Sequence, residues 1–503
     1  MRKFKARQSG VFVGAAVAFG LLSSSSAIAA AEPTLVPVAG APTLMLGAYD
    51  LGALGYEAHE FFFSGTAQAY EAAGPVHPDG GWTVRPTATA PYTTRMVVVR
   101  PKDPARFNGT VVVEWLNVSG GLDLPVDWAM VHRELVRKGY AYVAVSAQKV
   151  GIDGGASVTG GPSMALKKVN PARYGKLSHP GDAFAFDIFS QAGRIVREAG
   201  SNGLLGGLAP ERLIAMGESQ SAIYLTTYVP AIDPLARVYD GFLIHSRFGP
   251  GAALDGRSVI ASSPGSLPQA VKMPVKPRVP VLTVVTETDV AGGPAQGFYA
   301  ARQPDAAKRR TWEIAGAAHA DNYTYQVGFI DSGSASIATL AAAYAPTRKV
   351  IGQSFDKPID FGPQQHYVVE AAVAAMDRWL RTGEAPPTAA PLKVAAPPKA
   401  GAGLKFAVDK LGNAEGGVRT PWMDTPTAHL AGVGNSGSSS AWMIGVGEPF
   451  DAVTLQRLYP GGKAEYLKRF ETTLGSAIAA GFILPEDRQE ILDLAAASFK
   501  GAP

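Results

Sequence analysis

The sequence contains no cysteine, which excludes disulfide bonds, thiolate catalysis and cysteine-ligated metal sites. A chain of 503 residues can bury a core large enough to fold without disulfides. Net charge is also small, since 46 Lys and Arg stand against 42 Asp and Glu, and four of the basic residues fall among the first seven positions. Such a chain lacks the basic surface that binds nucleic acids and anionic lipids, so we expect no nucleic-acid partner.

Long apolar runs are few, and the first of them lies in a leader of thirty residues. Basic residues precede the run 11–22, and Ala27-Ile28-Ala29 offers a small-x-small cleavage site. The run is shorter than the roughly 18 to 20 apolar residues of a membrane-spanning helix, and no later stretch reaches that length. We therefore predict a signal peptide over residues 1–29 and an exported mature protein, periplasmic or secreted, with no membrane association after cleavage.

The middle of the chain alternates short β-rich runs with helical patterns. Buried strands that alternate with helices are typical of a mostly parallel, doubly wound sheet, so the predicted fold class is α/β. The predicted strands are 96–100, 110–116, 140–147, 213–216, 241–245, 281–286 and 311–314, and the predicted helices between them are 128–138, 182–198 and 221–229.

Stretches rich in Gly, Pro and Ala interrupt this alternation. Residues 150–180 and 246–280 are predicted to be long inserted loops, which serve either as lids and binding loops or as surface decoration. An amphipathic helix over 367–381 precedes a Pro/Ala-rich stretch that is typical of a stiff extended connector. The predicted organisation is a main domain over 30–383, a connector over 384–401 and a C-terminal segment over 402–503.

The stretch GESQS at 217–221 follows a predicted strand and precedes a helical pattern. In this context a nucleophilic serine lies on a sharp strand-to-helix turn, so Ser219 is the candidate nucleophile. The residues two before and two after it must be small, and Gly217 and Ser221 meet this requirement, although Ser221 replaces the usual glycine. The alternative is a serine that only forms the turn.

A serine nucleophile of this kind needs an acid and a histidine that follow it in chain order, each after a strand. His319 follows the last predicted strand, and the alternative for it is an exposed loop position. Glu287 and Asp289 follow the strand before it; in an extended chain both point to the same side, and either could reach the imidazole. We favour Asp289, where a loop of this pattern carries its carboxylate, with Glu287 as the alternative acid and the other carboxylate bracing the loop.

Acyl transfer also needs backbone N–H groups aimed at the developing oxyanion. One is expected from Gln220, directly after the serine, and the other from Val118 or Ser119 in the glycine-rich loop after strand 110–116. The alternative is that the glycines of this loop only turn the chain. No H-E-x-x-H, P-loop or dinucleotide-binding pattern occurs, so we expect neither a metal nor an organic cofactor.

Several stretches together resemble a family of mostly exported α/β-hydrolase domain proteins with a GESQS nucleophile elbow. They include GYEAHEFFFSGTAQAY, VVVEWLNVSGGLD, AMGESQSAIYLTTY, WEIAGAAHAD and GNAEGGVRTPWMDTP, and the resemblance covers nearly the whole mature chain. It implies an α/β-hydrolase fold and carboxylic-ester hydrolysis by Ser219, His319 and an acid at 289 or 287. It also implies that 402–503 packs on the catalytic domain as an integral extension, with 412–426 lining the site entrance.

The sequence therefore predicts an exported serine hydrolase that cleaves a small-molecule or polymeric ester through an acyl-enzyme. Two other activities on the same fold, a polyester depolymerase and a serine peptidase, are alternatives. A catalytically silent binding protein with the same fold is a third, because fold alone does not establish activity. The oligomeric state is left open.

Overall fold

The computed structural model describes residues 1, 32–75, 80–158, 160–263, 265–396 and 403–501. The predicted signal peptide, Met1 apart, lies outside these residues. In the described part of the chain, no helix combines the length and apolar character needed to cross a membrane. The described residues from Pro33 onward form one compact unit.

A nine-stranded sheet, counted over the described residues, lies at the centre of this unit in the order β1-β2-β3-β5-β4-β6-β7-β8-β9. The strands from β5 to β9 pair in parallel, and β1, β2, β3 and β5 pair antiparallel. Two further sheets of two antiparallel strands each, β10–β11 and β12–β13, lie outside it among the described residues. The strands are β1 Thr34–Val38, β2 Tyr56–Ala72, β3 Val84–Pro101, β4 Thr110–Trp115, β5 Ala141–Val145, β6 Arg212–Glu218, β7 Gly241–His245, β8 Val281–Thr286, β9 Arg309–Ile314, β10 Lys349–Val350, β11 Gln353–Ser354, β12 Ala428–Ala431 and β13 Val446–Pro449.

Helices cover both faces of the sheet, and several are single turns. The α-helices are α1 Val126–Lys138, α2 Lys149–Asp153, α3 Leu166–Val169, α4 Pro171–Tyr174, α5 Ala185–Arg197, α6 Ala199–Asn202, α7 Gln220–Thr227, α8 Asp233–Ala236, α9 Glu287–Ala291, α10 Ile337–Ala343, α11 Gln364–Thr382, α12 Pro421–Asp424, α13 Ala452–Leu458, α14 Gly462–Ala479 and α15 Arg488–Ser498. Short 3₁₀ turns lie at Pro104–Arg106, Asp182–Phe184, Phe298–Ala301, Ala441–Met443 and Pro485–Asp487, and π turns at Tyr228–Ile232 and Tyr323–Val327.

The parallel strands are fully buried because helices pack on both of their faces. All six residues of β4 and all five of β5 are buried, which explains their continuous apolar runs. On one face Val112 and Ile214 pack with α1, α11 and the C-terminal helices. On the other face Val111 and Leu213 pack with α5 and α7. The sheet thus forms the middle of three layers.

The long hairpin β2–β3 extends well beyond the strand predicted at 96–100. Its outer half, from Val84 to about Ala90, is mostly exposed and carries Thr and Pro rather than an apolar run. Pairing with β2, from Tyr56 to Ala72, holds this half in place. Among the predicted long loops, 150–180 contains α2, α3 and α4, whereas the described residues of 246–280 contain no helix or strand.

The C-terminal segment packs against the main domain through helices α14 and α15. Phe470 and Ile491 belong to the same buried cluster as Val369 of α11. Arg137 of α1 forms a salt bridge with Asp487, just before α15. Within the predicted connector, residues 384–396 are described; there the carbonyl of Pro387 accepts from Trp312 at 2.8 Å. This stretch therefore lies along β9.

Candidate active site

Ser219 lies between the end of β6 and the start of α7 in a strained backbone conformation. Its φ of 56° and ψ of −113° are unusual for a residue other than glycine. The amide of Ser219 donates to the carbonyl of His245 on β7 at 3.1 Å, which holds the turn in place. The side chain is half-buried. This is the geometry of a nucleophile elbow, in which the serine hydroxyl projects above the carboxyl edge of a parallel sheet.

Gly217 and Ser221, the two small residues of the elbow, are small for different structural reasons. A Cβ added at Gly217 would lie 3.1 Å from Cδ1 of Leu225 and 3.2 Å from Oγ of Ser221, because strand and helix pass close together here. Ser221 is fully buried, and its hydroxyl donates to the carbonyl of Glu218 at 2.8 Å and accepts from the Glu218 amide at 3.0 Å. The Ser221 hydroxyl therefore links both backbone groups of Glu218 within the turn, and it does not cap α7.

The structure brings Ser219, His319 and Asp289 together in a chain of two hydrogen bonds. Oγ of Ser219 lies 2.8 Å from Nε2 of His319, and Nδ1 of His319 lies 2.6 Å from Oδ1 of Asp289. The second oxygen of Asp289 accepts from the Thr286 amide at 2.7 Å, as part of a capping box at the start of α9. The acid is therefore anchored by its own helix turn while it faces the ring.

Glu287 points elsewhere and contacts no ring nitrogen. Its two oxygens accept from the amides of Gly316 and Gly432 at 2.6 and 2.8 Å. The expectation that both acids point to the same side is wrong, because they lie in the helical turn α9, where residues two apart diverge. Glu287 instead ties three loops together: the acid turn, the histidine loop and the C-terminal segment.

Burial and charge act in opposite directions on these groups. Burial lowers the pKa of His319, but the charge and hydrogen bond of Asp289 and the charge of Glu218 outweigh it, so the pKa lies above its ordinary value. Burial raises the pKa of Glu287 to about 7, and the two amides that it accepts from limit the rise. An imidazole flanked by carboxylates readily carries a positive charge.

The loop after β4 reaches the elbow through Val118. The Val118 amide donates to Oε1 of Gln220 at 3.3 Å, whereas the Ser119 amide donates to Oδ1 of Asn117 at 2.7 Å within its own turn. Gln220 is the first residue of α7, and a first-turn amide has no acceptor within its helix. Of the two candidates in this loop, Val118 is the one whose amide faces the elbow.

Three side chains at this site are not among the site residues predicted from the sequence. The ring of Phe248 lies 5.0 Å from that of His319, and the ring of Trp442 stacks on His319 at 6.0 Å and 29°. Oε1 of Glu218 lies 3.6 Å from Nε2 of His319. Trp442 comes from the C-terminal segment, although from a different part than the stretch 412–426 expected at the entrance. A single tryptophan within a Gly/Ser-rich stretch was the only signal for it.

The site offers no grouping of donors that resembles a metal centre. Over the described ranges, no cluster of three or more His, Cys, Asp or Glu side chains is arranged to hold an ion. What the arrangement can do is move a proton from a serine hydroxyl to an imidazole while an adjacent carboxylate stabilises the resulting cation.

A sheet of this order, with an elbow serine, an acid and a histidine after the carboxyl ends of β6, β8 and β9, defines the α/β hydrolase class. Residues 27–493 match the family model for the alpha/beta hydrolase domain. The chain belongs to this family. The search of curated proteins found no match.

Solved structures with a similar chain path include esterases and other hydrolases. A putative dienelactone hydrolase from Klebsiella pneumoniae is 13% identical, with 56% of this chain and 95% of that chain covered and a TM-score of 0.27. Esterase Est22 is 13% identical, over 46% and 64% of the two chains, with a TM-score of 0.25. A thermostable esterase from Pseudomonas putida is 15% identical, over 48% and 66%, with a TM-score of 0.24. Similarity this distant says nothing about the substrate.

Proposed function

We propose that the protein is an exported serine hydrolase that cleaves carboxylic esters through an acyl-enzyme intermediate. The observation that carries this proposal is the continuous hydrogen-bonded chain from Ser219 through His319 to Asp289, at 2.8 and 2.6 Å, with the serine on a strained elbow. Strain of this kind is retained where function requires it. The family to which the chain belongs supports hydrolysis as the reaction type.

In the first half of the reaction, Oγ of Ser219 attacks the ester carbonyl while Nε2 of His319 takes the hydroxyl proton. The tetrahedral intermediate collapses when His319 returns that proton to the leaving alcohol, and an ester of Ser219 remains. In the second half, His319 takes a proton from water, whose oxygen attacks the acyl carbon, and the proton then restores the Ser219 hydroxyl. Asp289 holds the tautomer with its proton on Nδ1 throughout.

The negative oxygen of each tetrahedral intermediate is stabilised by the amides of Gln220 and Val118. Both amides belong to backbone fixed by its surroundings, since Val118 and Gln220 are buried. The Gln220 amide is an oriented donor that acts without the cost of reorganising during the reaction. The Val118 amide first exchanges its hydrogen bond to Oε1 of Gln220 for the oxyanion. No metal or organic cofactor takes part in this scheme.

The cover over the site favours small esters over polymer chains. His319 is only 6% exposed, and the rings of Phe248 and Trp442 lie against it. A polyester strand or a folded polypeptide would need a longer open cleft. A silent binding protein would have no need to keep the serine in a strained conformation against a hydrogen-bonded histidine.

Export is the second part of the proposal and rests on residues 1–29. Expression of the full chain in a bacterial host, followed by N-terminal sequencing of the cytoplasmic, periplasmic and medium fractions, tests it. A mature terminus near Ala30 supports export, and an intact Met1 terminus in the cytoplasm contradicts it.

The enzymatic part is tested by labelling the mature protein with a fluorophosphonate and assaying short p-nitrophenyl esters, beside Ser219→Ala. We expect the wild type to label and to release p-nitrophenol, and the variant to do neither. A wild type that stays unlabelled overturns the serine mechanism. Labelling without ester turnover would indicate a serine hydrolase that acts on amide or polymeric substrates.

A further inference from the structure

The elbow residue Glu218 presents a second carboxylate to the histidine. Asp289 faces Nδ1, and Oε1 of Glu218 lies 3.6 Å from Nε2, the nitrogen that faces Ser219. Glu218 is only 5% exposed, so water screens this contact poorly. One imidazole therefore has a carboxylate near each of its two nitrogens.

The position of the Glu218 carboxylate is fixed from two sides. Nδ2 of Asn117 donates to Oε2 of Glu218 at 3.0 Å and to its backbone carbonyl at 3.2 Å. The backbone of Glu218 is held in addition by Ser221. Oε2 is thus used by Asn117, and Oε1 is left facing the ring. In the described part of the chain, no arginine or lysine forms a salt bridge with this carboxylate.

We propose that Glu218 is a positioning residue whose carboxylate stabilises the positive charge that His319 acquires when it takes the proton of Ser219. This inference rests on the proposed serine hydrolysis. At a pH above the pKa of His319, the ring is charged in the tetrahedral states and neutral in the resting site, so the interaction lowers the barrier rather than strengthening substrate binding. It acts in both halves of the reaction, since His319 is protonated in each.

The ionisation of Glu218 responds to the same neighbours. Burial raises its pKa to about 7, His319 and His245 lower it, and the acids nearby raise it. A carboxyl group with such a pKa changes charge near neutral pH. Because a charged imidazole lowers this pKa, Glu218 is ionised when His319 is protonated. The titratable groups that face Glu218 are His319 from the loop after β9, His245 from β7, Asp127 from α1, Asp289 from α9 and Tyr325 from the turn Tyr323–Val327.

The experiment measures the rate at which a fluorophosphonate labels Ser219, from about pH 5 to about pH 9, in the wild type, Glu218→Gln and Glu218→Asp. Labelling requires an activated serine but no particular ester. In Glu218→Gln we expect the plateau rate to fall by roughly 10- to 100-fold and the acid limb to move to lower pH, because the pKa of His319 loses the support of the Glu218 charge. Glu218→Asp keeps the charge and should recover part of the rate.

Glu287→Gln is the matched control, because Glu287 is a buried carboxyl group whose pKa is also raised to about 7 but which contacts only backbone amides. It should keep the acid limb of the wild type. A wild type that is never labelled contradicts the proposed function itself. A labelled wild type with an unchanged rate and acid limb in Glu218→Gln overturns the role of Glu218. If Glu218→Gln does not fold, Glu218→Asp decides: slower labelling supports the role, and the wild-type rate overturns it.

Discussion

Oδ1 of Asp289 lies 2.6 Å from Nδ1 of His319, whereas Glu287, two residues earlier, accepts from two backbone amides and contacts no ring nitrogen. The helical turn α9 separates the two carboxylates. The geometry therefore gives different roles to two acids that are both candidates from the sequence, which favours Asp289.

The first prediction concerns the acid that orients the imidazole. Asp289→Asn should lower kcat by about 10⁴-fold, because an amide at this position no longer stabilises the imidazolium and favours the wrong tautomer. Steady-state hydrolysis of a p-nitrophenyl ester measures it. Glu287→Gln is the comparison, and a larger loss of kcat in that variant than in Asp289→Asn would contradict the assignment.

The second prediction concerns the dependence of stability on pH. The pKa of Glu287 is about 7 in the folded protein and 4.5 when unperturbed, so the unfolded state ionises first as the pH rises. The stabilising contribution of the neutral carboxyl is complete below about pH 4.5 and is lost as the pH rises through about 7.

Glu287→Gln removes this ionisation, and the other buried acids remain the same in both proteins. The loss of Tm between about pH 5 and about pH 8 should therefore be smaller in the variant than in the wild type. Thermal unfolding followed by circular dichroism at both pH values tests this. Equal losses of Tm in the two proteins would rule out the ionisation of Glu287 as a contributor.

The parallel strands and the order of Ser219, Asp289 and His319 are predictable from sequence because each strand is a buried apolar run, and its carboxyl end marks the site. The outer half of β3 is not predictable in this way, since its residues are exposed and only pairing with β2 makes them a strand. Trp442 and Glu218 are not predictable from the sequence for other reasons. Trp442 reaches His319 from a distant part of the chain, and Glu218 occupies a position that the elbow motif leaves unspecified.

The third prediction concerns Ser221, which stands where the elbow usually has glycine. Ser221→Ala removes the hydroxyl that bonds to both backbone groups of Glu218, and this should cost about 1 to 3 kcal/mol of the free energy of unfolding. Urea unfolding measures the loss. Ser476→Ala, at an exposed helix position, is the control and should change the free energy by less than about 0.5 kcal/mol. A stability equal to the wild type in Ser221→Ala would mean that these two bonds are not needed.

The fourth prediction concerns the aromatic cover of the site. The Trp442 ring stacks on His319 and contacts Phe248, with ring centroids 6.0 and 5.8 Å apart, so its removal opens space beside the reacting nitrogen. In Trp442→Ala we expect kcat/KM for bulky acyl esters to rise relative to that for acetate, by roughly 10-fold, since contacts of this size in a pocket discriminate by about 1 to 3 kcal/mol.

Trp422→Ala separates this effect from a general loss of packing. Trp422 belongs to the same C-terminal segment but stacks on Tyr367 at 5.8 Å and does not contact His319. That variant should lose stability while it keeps the wild-type ratio of bulky to small esters. The ratio of the two kcat/KM values, measured beside thermal unfolding for both variants, distinguishes the two outcomes. If both tryptophan variants changed the ratio equally, the C-terminal segment would act on selectivity through its packing as a whole, and Trp442 would have no specific role in admitting the acyl group.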